Sequence, residues 1–196
     1  KRVDHDYEPH VAIIETLEAP SPECEEAFAH ALALALKGHG TLEVLHVATD
    51  DVEWAPMPTV RSFLERWGVL APGAGVAAYE ALGMTVDLVG RTSMNPAHGV
   101  LQALQGRPVD LLVLSTRART GIERMIEGSV SEQVSRKSRL PTLFVPLHAR
   151  NLVDPATGKV RLHRVAMPVT PGMDYRPGLD LVDRFARTLG IDRLDI

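Results

Sequence analysis

From Val109 to Pro146 the chain reads VDLLVLSTRARTGIERMIEGSVSEQVSRKSRLPTLFVP, and this stretch decides the fold. It contains two short apolar runs, Leu111–Leu114 and Thr142–Val145, each of the length expected for a buried strand. Between them, Gly128 opens a helical segment that continues from Ser129 to Ser138. A strand, a loop, a helix and a second strand in this order predict a parallel unit covered by helices.

The same alternation of elements extends toward the N-terminus. Further strands are predicted at Val11–Ile14, Leu42–Val47 and Met84–Val89. Further helices are predicted at Ala27–Leu36, Val60–Leu70, Val76–Leu82 and Pro96–Leu104. Strands that alternate with helices predict an α/β fold, an open parallel five-stranded sheet with helices on both faces.

An internal repeat begins after residue 150. His163–Val169 echoes His10–Ile14, a helix is predicted at Leu179–Leu189, and Leu194–Ile196 aligns with Leu42–Val44. We therefore predict a complete domain over 9–147, a linker over 148–160 and a truncated second repeat over 161–196. Because the second unit cannot bury both faces of its sheet, we expect it to pack on the first domain, pair with another chain or belong to a longer protein.

Composition limits the classes of partner. The net charge is −4, with 21 basic and 25 acidic residues, which gives no basic face for nucleic acid. No apolar run reaches the ~18 residues that a membrane span needs, and Lys1–Asp6 lacks the apolar core of a signal peptide. The one cysteine, Cys24, lies among glutamates that disfavour a reactive thiolate and fits a reducing compartment. We expect a cytoplasmic protein without a membrane or nucleic-acid partner.

Catalytic and metal motifs are not found in the sequence. The eight histidines are scattered without metal-ligand spacing, and no second cysteine is available to complete a zinc site. A Gly-x-Ser-x-Gly elbow and a complete phosphate-binding Walker loop are also missing. His46, at the end of a predicted strand, is interpreted as a histidine of the core or of the edge of a site. We predict that the protein is not an enzyme and holds no metal.

The loop before Ser129 has the chemistry of an anion site. A helix N-terminus presents free N–H groups and partial positive charge, Gly128 permits close backbone approach, and Ser129 offers a hydroxyl. Three nearby arginines, whose guanidinium groups suit phosphate, are Arg117, Arg119 and Arg124. The alternative interpretation is that Gly128 and Ser129 only end a loop and cap a helix.

Several segments together resemble the universal stress protein family. They are Leu45-His46-Val47, Asn95-Pro96-Ala97, Asp110–Leu114, Gly121–Val134 and Leu140–Pro146. The resemblance covers roughly residues 9–147 and implies a Rossmann-like fold and a stress-response role. It also implies a site for ATP or AMP, whose counterparts here are Ser115, Arg117, Ala118, Gly128, Ser129 and Val130.

The chain departs from the pattern of the ATP-binding members. Their loop reads Gly, two residues, Gly, nine residues, Gly and then Ser or Thr, whereas the matching positions here are Ser115, Ala118, Gly128 and Ser129. The side chain of Ala118 narrows the space for phosphate or ribose and disfavours a positive φ. The family's acidic residue after the first strand has only Glu15 or Glu18 as a substitute. The resemblance therefore implies a degenerate nucleotide site.

Two main functions are consistent with these observations, beside the weaker option of a regulatory domain cut from a transporter or kinase. One is a non-catalytic regulatory module that requires no cofactor and acts as a homodimer and through an unknown protein partner, with Leu143–Val145 as an edge strand suited to pairing. The alternative is an ATP- or AMP-binding sensor with at most slow ATP hydrolysis.

Overall fold

The computed structural model describes residues 8–16, 22–49, 59–116, 129–146, 151–172, 174–191 and 194–195. The strands are β1 (His10–Thr16), β2 (Thr41–Ala48), β3 (Thr85–Thr92), β4 (Leu111–Thr116), β5 (Thr142–Pro146), β6 (Val165–Ala166) and β7 (Leu194–Asp195). The helices are α1 (Pro22–Gly38), α2 (Val60–Arg66), α3 (Val76–Glu80), α4 (Pro96–Leu104), α5 (Val130–Ser138) and α6 (Arg176–Leu189).

The first five strands form one sheet in the order β3-β2-β1-β4-β5, and every neighbouring pair is parallel. Ile13 stands beside Val44 on one side and beside Val113 on the other, so β1 lies in the centre of the sheet. The five-stranded parallel sheet expected from the sequence is confirmed. Parallel strands need crossover connections, and the intervening helices supply them.

Helices cover both faces of the sheet. Side chains of a strand alternate between faces, so Val11 and Ile13 enter the cluster under α1, while Ala12 enters the cluster under α4 and α5. Both clusters are apolar and deeply buried, which explains why the central strands read as continuous apolar runs in the sequence.

The predicted helix over Val60–Leu70 is shorter in the structure. The helix begins after Thr59, whose hydroxyl accepts a hydrogen bond from the Ser62 N–H at 3.2 Å, and it ends at Arg66. Gly68 then adopts a φ of 69°, which turns the chain and brings Leu70 into the core. The apolar pattern of the sequence extends to Leu70 because Leu70 is also buried. A turn, and not a longer helix, brings it into the core.

Residues 151–161, which we call the strap, are folded against the helices α1 and α2. Val153 is fully buried and forms an antiparallel bridge with Val160. The indole N–H of Trp67 donates to the Pro155 carbonyl at 2.9 Å. The segment that the sequence assigns to the linker is therefore packed on the domain along most of its length.

The strands β6 and β7 with the helix α6, which we call the tail, form a second parallel unit. Val165 pairs with Leu194 and Ala166 with Asp195. The helix α6 ends at Leu189, and Gly190 follows it in the left-handed conformation that is typical of a helix stop. Ala186 and Leu189 are buried, and α6 packs on α1. That this unit begins a second repeat stays a prediction.

Within the described ranges, no helix combines the length and the apolar character that crossing a membrane requires.

Candidate functional site

The sheet reverses its direction of growth between β1 and β4. From β1 the chain proceeds to β2 on one side, and from β4 it proceeds to β5 on the other. In open α/β sheets, ligands bind outside the carboxyl ends of the strands at this switch point, because the two diverging connections leave a crevice. The candidate site therefore lies beyond Thr16 and Thr116.

The structure brings three of the six predicted site residues to this edge. Ser115 is the next-to-last residue of β4 and is half-buried, Ser129 is the N-cap of α5, and Val130 is its first residue. The other three predicted site residues lie outside the described residues: Arg117, Ala118 and Gly128. The arginines Arg119 and Arg124 also lie outside them.

Ser129 caps the helix that points its N-terminus at the site. Its hydroxyl accepts a hydrogen bond from the Glu132 N–H at 3.1 Å, and its φ of −71° and ψ of 154° are typical of an N-cap. Such a cap stabilises a helix by about 1 kcal/mol. This contact supports the capping interpretation of Ser129, and the hydroxyl already has a partner within the protein.

A second serine joins α5 to the end of β4. The Ser131 hydroxyl donates to the carbonyl oxygen of Ser115 at 3.2 Å. This contact fixes the first turn of α5 beside the strand end. It also occupies a carbonyl at the position where ATP-binding relatives have the first glycine of their loop.

Thr116, which the sequence analysis did not select, is the most unusual polar group at this edge. The residue is 8% exposed, and its hydroxyl oxygen is buried without a hydrogen-bond partner within the described part of the chain. A buried hydroxyl normally has a hydrogen-bond partner, which makes Thr116 a candidate contact residue of the site. The sequence does not indicate that this hydroxyl is buried, because a threonine at the end of an apolar strand is ordinary.

The charge near the helix start is acidic. Glu132, in the first turn of α5, is 8% exposed and forms an ion pair with Arg136 at 3.2 Å. A carboxylate in the first turn complements the positive end of the helix dipole. It therefore offsets part of the attraction that this N-terminus would offer to phosphate.

His46 lies near the same edge, in register with Gly90 on β3 and Glu15 on β1. Burial lowers the pKa of His46 below its ordinary value, so the imidazole is neutral at pH 7. A neutral ring can donate or accept a hydrogen bond but contributes no positive charge for a phosphate.

No cluster of three metal-ligating side chains is spaced to hold an ion in the described part of the chain. The acidic substitutes that the sequence suggested, Glu15 and Glu18, differ in placement. The backbone of Glu15 lies in β1, while Glu18 falls outside the described residues.

Two curated proteins are similar to part of this chain. Universal stress protein MJ0531 of Methanocaldococcus jannaschii is 36% identical over 50 residues, which cover 26% of this chain and 29% of that protein. Universal stress protein YxiE of Bacillus subtilis is 40% identical over 50 residues, which cover 26% of this chain and 34% of that protein. The chain thus aligns with about a third of the length of these curated relatives.

A solved structure of a universal stress protein family protein from Arabidopsis thaliana, with AMP bound, is 16% identical and has a TM-score of 0.42. The alignment covers 76% of this chain and 99% of that one. The model of the universal stress protein family matches residues 19–146, which is about two thirds of the sequence. With the parallel sheet and its serine-capped α5, this match establishes that the chain belongs to the universal stress protein family.

Proposed function

We propose that this protein is a non-catalytic stress-response regulator that acts in the cytoplasm through homodimerisation and contact with a protein partner. No cofactor is required for this role. The observation that carries the proposal is the position of β5 at the edge of the sheet. An edge strand presents unpaired backbone groups that a second chain can complete.

The register of β5 identifies which backbone groups are available. Thr142 stands opposite Leu112, and the Leu112 N–H donates to the Pro141 carbonyl at 2.9 Å. By the alternation of a parallel ladder, the N–H groups of Thr142 and Phe144 therefore point away from β4. Both side chains are half-buried, which leaves apolar surface of Phe144 beside the free backbone. A second copy of β5 is the natural occupant, since a two-fold axis lets the same strand pair with itself.

A matched pair of substitutions tests the dimer. Thr142→Lys places a charge on the β5 edge, and Thr85→Lys places the same charge at the exposed start of β3, the opposite edge. Lysine on an edge strand disfavours pairing with another chain. Light scattering should give a dimer for the wild type and for Thr85→Lys, and a monomer for Thr142→Lys. A wild-type monomer at tens of micromolar would refute this mode of action.

The proposal includes a degenerate nucleotide site. It is supported by the serine side chain of Ser115 where relatives have glycine, by the hydroxyl of Ser129 engaged in capping, and by Glu132 near the helix start. The Ser115 side chain reduces the space for a phosphate. The engaged Ser129 hydroxyl and the nearby Glu132 carboxylate make the helix start less favourable for its negative charge.

An ATP- or AMP-binding sensor with at most slow hydrolysis is the second candidate. The observation in its favour is the buried hydroxyl of Thr116 at the switch point, which has no hydrogen-bond partner among the described residues. Absorbance at 260 nm of the supernatant after denaturing the purified protein detects co-purified nucleotide, and calorimetry with ATP and AMP measures affinity. We expect neither stoichiometric nucleotide nor micromolar binding. Micromolar binding that Thr116→Val weakens would replace the proposal with the sensor.

A further inference from the structure

His30, in the middle of α1, is a histidine buried between two backbone groups. The residue is 2% exposed. Its Nδ1 lies 2.6 Å from the carbonyl oxygen of Glu26, and its Nε2 lies 3.3 Å from the backbone nitrogen of Val153. A carbonyl only accepts and a backbone N–H only donates, so Nδ1 carries the ring proton and Nε2 accepts. These contacts assign one neutral tautomer to His30.

This histidine connects the first domain to the strap. Val153 is fully buried and is paired to Val160 within the strap. The other anchor of the strap is Trp67, which donates to Pro155. The strap precedes the tail in sequence, and the tail helix α6 packs on α1, the helix that carries His30. A change at His30 therefore acts where the domain, the strap and the tail meet.

The side of the ring toward the sheet is apolar. The sheet presents apolar side chains toward α1, among them Val11, Ile13, Leu42, Val44, Leu111 and Val113. The described charged side chains lie on the other elements and on α1 itself. They are Glu25, Glu26 and Lys37 on α1, Arg61, Glu65 and Arg66 on α2, Asp154, Lys159 and Arg161 in the strap, and Arg176, Asp180, Asp183, Arg184 and Arg187 on α6.

Glu26, the acidic neighbour of His30 on α1, does not reverse the lowering of the pKa of His30. Glu26 is one turn from His30, and its Oε2 is buried without a hydrogen-bond partner in the part of the chain described. Burial has the larger effect and lowers the pKa of His30. The hydrogen bond to the Glu26 carbonyl raises the pKa by a smaller amount. The neutral ring is the form that the closed strap selects.

We propose that His30 is a pH-sensitive latch whose protonation releases the strap from α1. A proton on Nε2 turns the acceptor into a donor that faces the N–H of Val153, so the hydrogen bond is lost and two donors oppose each other. The released ring is solvated and has the ordinary histidine pKa near 6.5. Release therefore sets in as the pH falls below about 6.5.

Amide hydrogen exchange in the full chain tests the latch, measured at pH 7.5 and 5.5 and corrected for the intrinsic exchange rate. At pH 5.5 we expect the protection of the Val153 amide to fall by up to about tenfold, because a unit of pH below the pKa of the released ring favours opening tenfold. The amides of Val44 and Leu45, in the centre of the sheet, should remain better protected than the Val153 amide at both pH values, because they exchange only through global unfolding. Equal protection of the sheet and the strap at both pH values would mean that the strap opens only by global unfolding and would overturn the latch.

His30→Gln and His98→Gln form a matched pair, because His98 is an exposed histidine on α4. His30→Gln should abolish the pH dependence of exchange at Val153, and His98→Gln should leave it as in the wild type. An unchanged pH dependence in His30→Gln refutes the proposal.

If His30→Gln does not fold, NMR titration of the His30 ring in the wild-type protein tests the latch instead. A ring that titrates without a change at the Val153 amide refutes the latch, and a coupled change in both supports it.

Discussion

Gly158 lies against the face of Trp67, so closely that a Cβ on Gly158 would stand 2.5 Å from Cδ2 of the indole. Gly158 also has a φ of 68°, in the left-handed region. The ring is held in place by its hydrogen bond to the Pro155 carbonyl. The strap therefore depends on one position where both the backbone conformation and the available space require glycine.

Gly158→Ala should destabilise the protein more than the strain of a positive φ alone explains. Gly172→Ala is the matched control, because Gly172 has a φ of 83° and open space around it. Left-handed alanine costs about 1–2 kcal/mol at either site. At Gly158 the displaced indole should add about 1–3 kcal/mol. Urea unfolding followed by tryptophan fluorescence measures both variants, and equal losses would show that the indole moves aside freely.

Ser129→Ala should lower the free energy of unfolding by about 1 kcal/mol, because the Glu132 N–H loses its acceptor. Ser129→Asp keeps a capping oxygen and should retain the wild-type stability, while its negative charge opposes any phosphate at the helix start. Chemical denaturation of the three proteins tests the cap. An AMP titration of Ser129→Asp separates the two roles, since lost binding with unchanged stability would assign Ser129 to a nucleotide site.

Arg107→Ala should lower the free energy of unfolding more than most substitutions of a partly exposed residue do. The Glu43 carboxylate is fully buried in β2, and its Oε2 is 2.8 Å from the Arg107 guanidinium and 3.2 Å from the His10 ring. Removing the guanidinium leaves a buried charge short of its main partner, which costs about 3 kcal/mol.

Arg187→Ala is the comparison, because Arg187 pairs with Asp183 one turn earlier on α6 and both side chains are exposed. Loss of such a pair costs about 0.5 kcal/mol or less. If thermal and urea unfolding gave Arg107→Ala and Arg187→Ala the same small effect, Glu43 would have to be satisfied by another group.

The sheet was predictable from the sequence because its central strands are buried on both faces. Strand residues that are buried on both faces are apolar, so Leu111–Leu114 and Val11–Ile14 are recognisable as strands in the sequence. The stop of α6 was predictable for a different reason, since Gly190 is a local signal that no tertiary contact has to supply.

The contacts of the strap were not predictable. Pro155 and Gly158 look like linker residues in the sequence, and nothing local indicates that Trp67, about ninety residues earlier, packs on them. The burial of Thr116 was not predictable either, because burial of a side chain at the end of a strand depends on neighbours distant in sequence. Within the candidate site, only Ser129, as a helix cap, followed from local rules.

Acidification should weaken the whole fold through His30, in a range set by its pKa. The folded-state pKa is lowered by burial, so the unfolded chain binds the proton more readily than the folded one. The stability that the neutral ring contributes is therefore complete above the unfolded pKa of about 6.5 and decreases as the pH falls below it. The loss approaches ~1.4 kcal/mol per pH unit until the folded-state pKa is reached.

Urea unfolding curves at half-unit steps from pH 7.5 to 5 measure this slope. His30→Gln should flatten it, while His98→Gln, which changes an exposed ring, should leave it unchanged. Burial also lowers the pKa of His46, so a slope of the same sign should persist in His30→Gln and disappear when His46→Gln is added. A wild-type stability that rises between pH 6.5 and 5.5 would contradict the assignment of neutral rings at both positions.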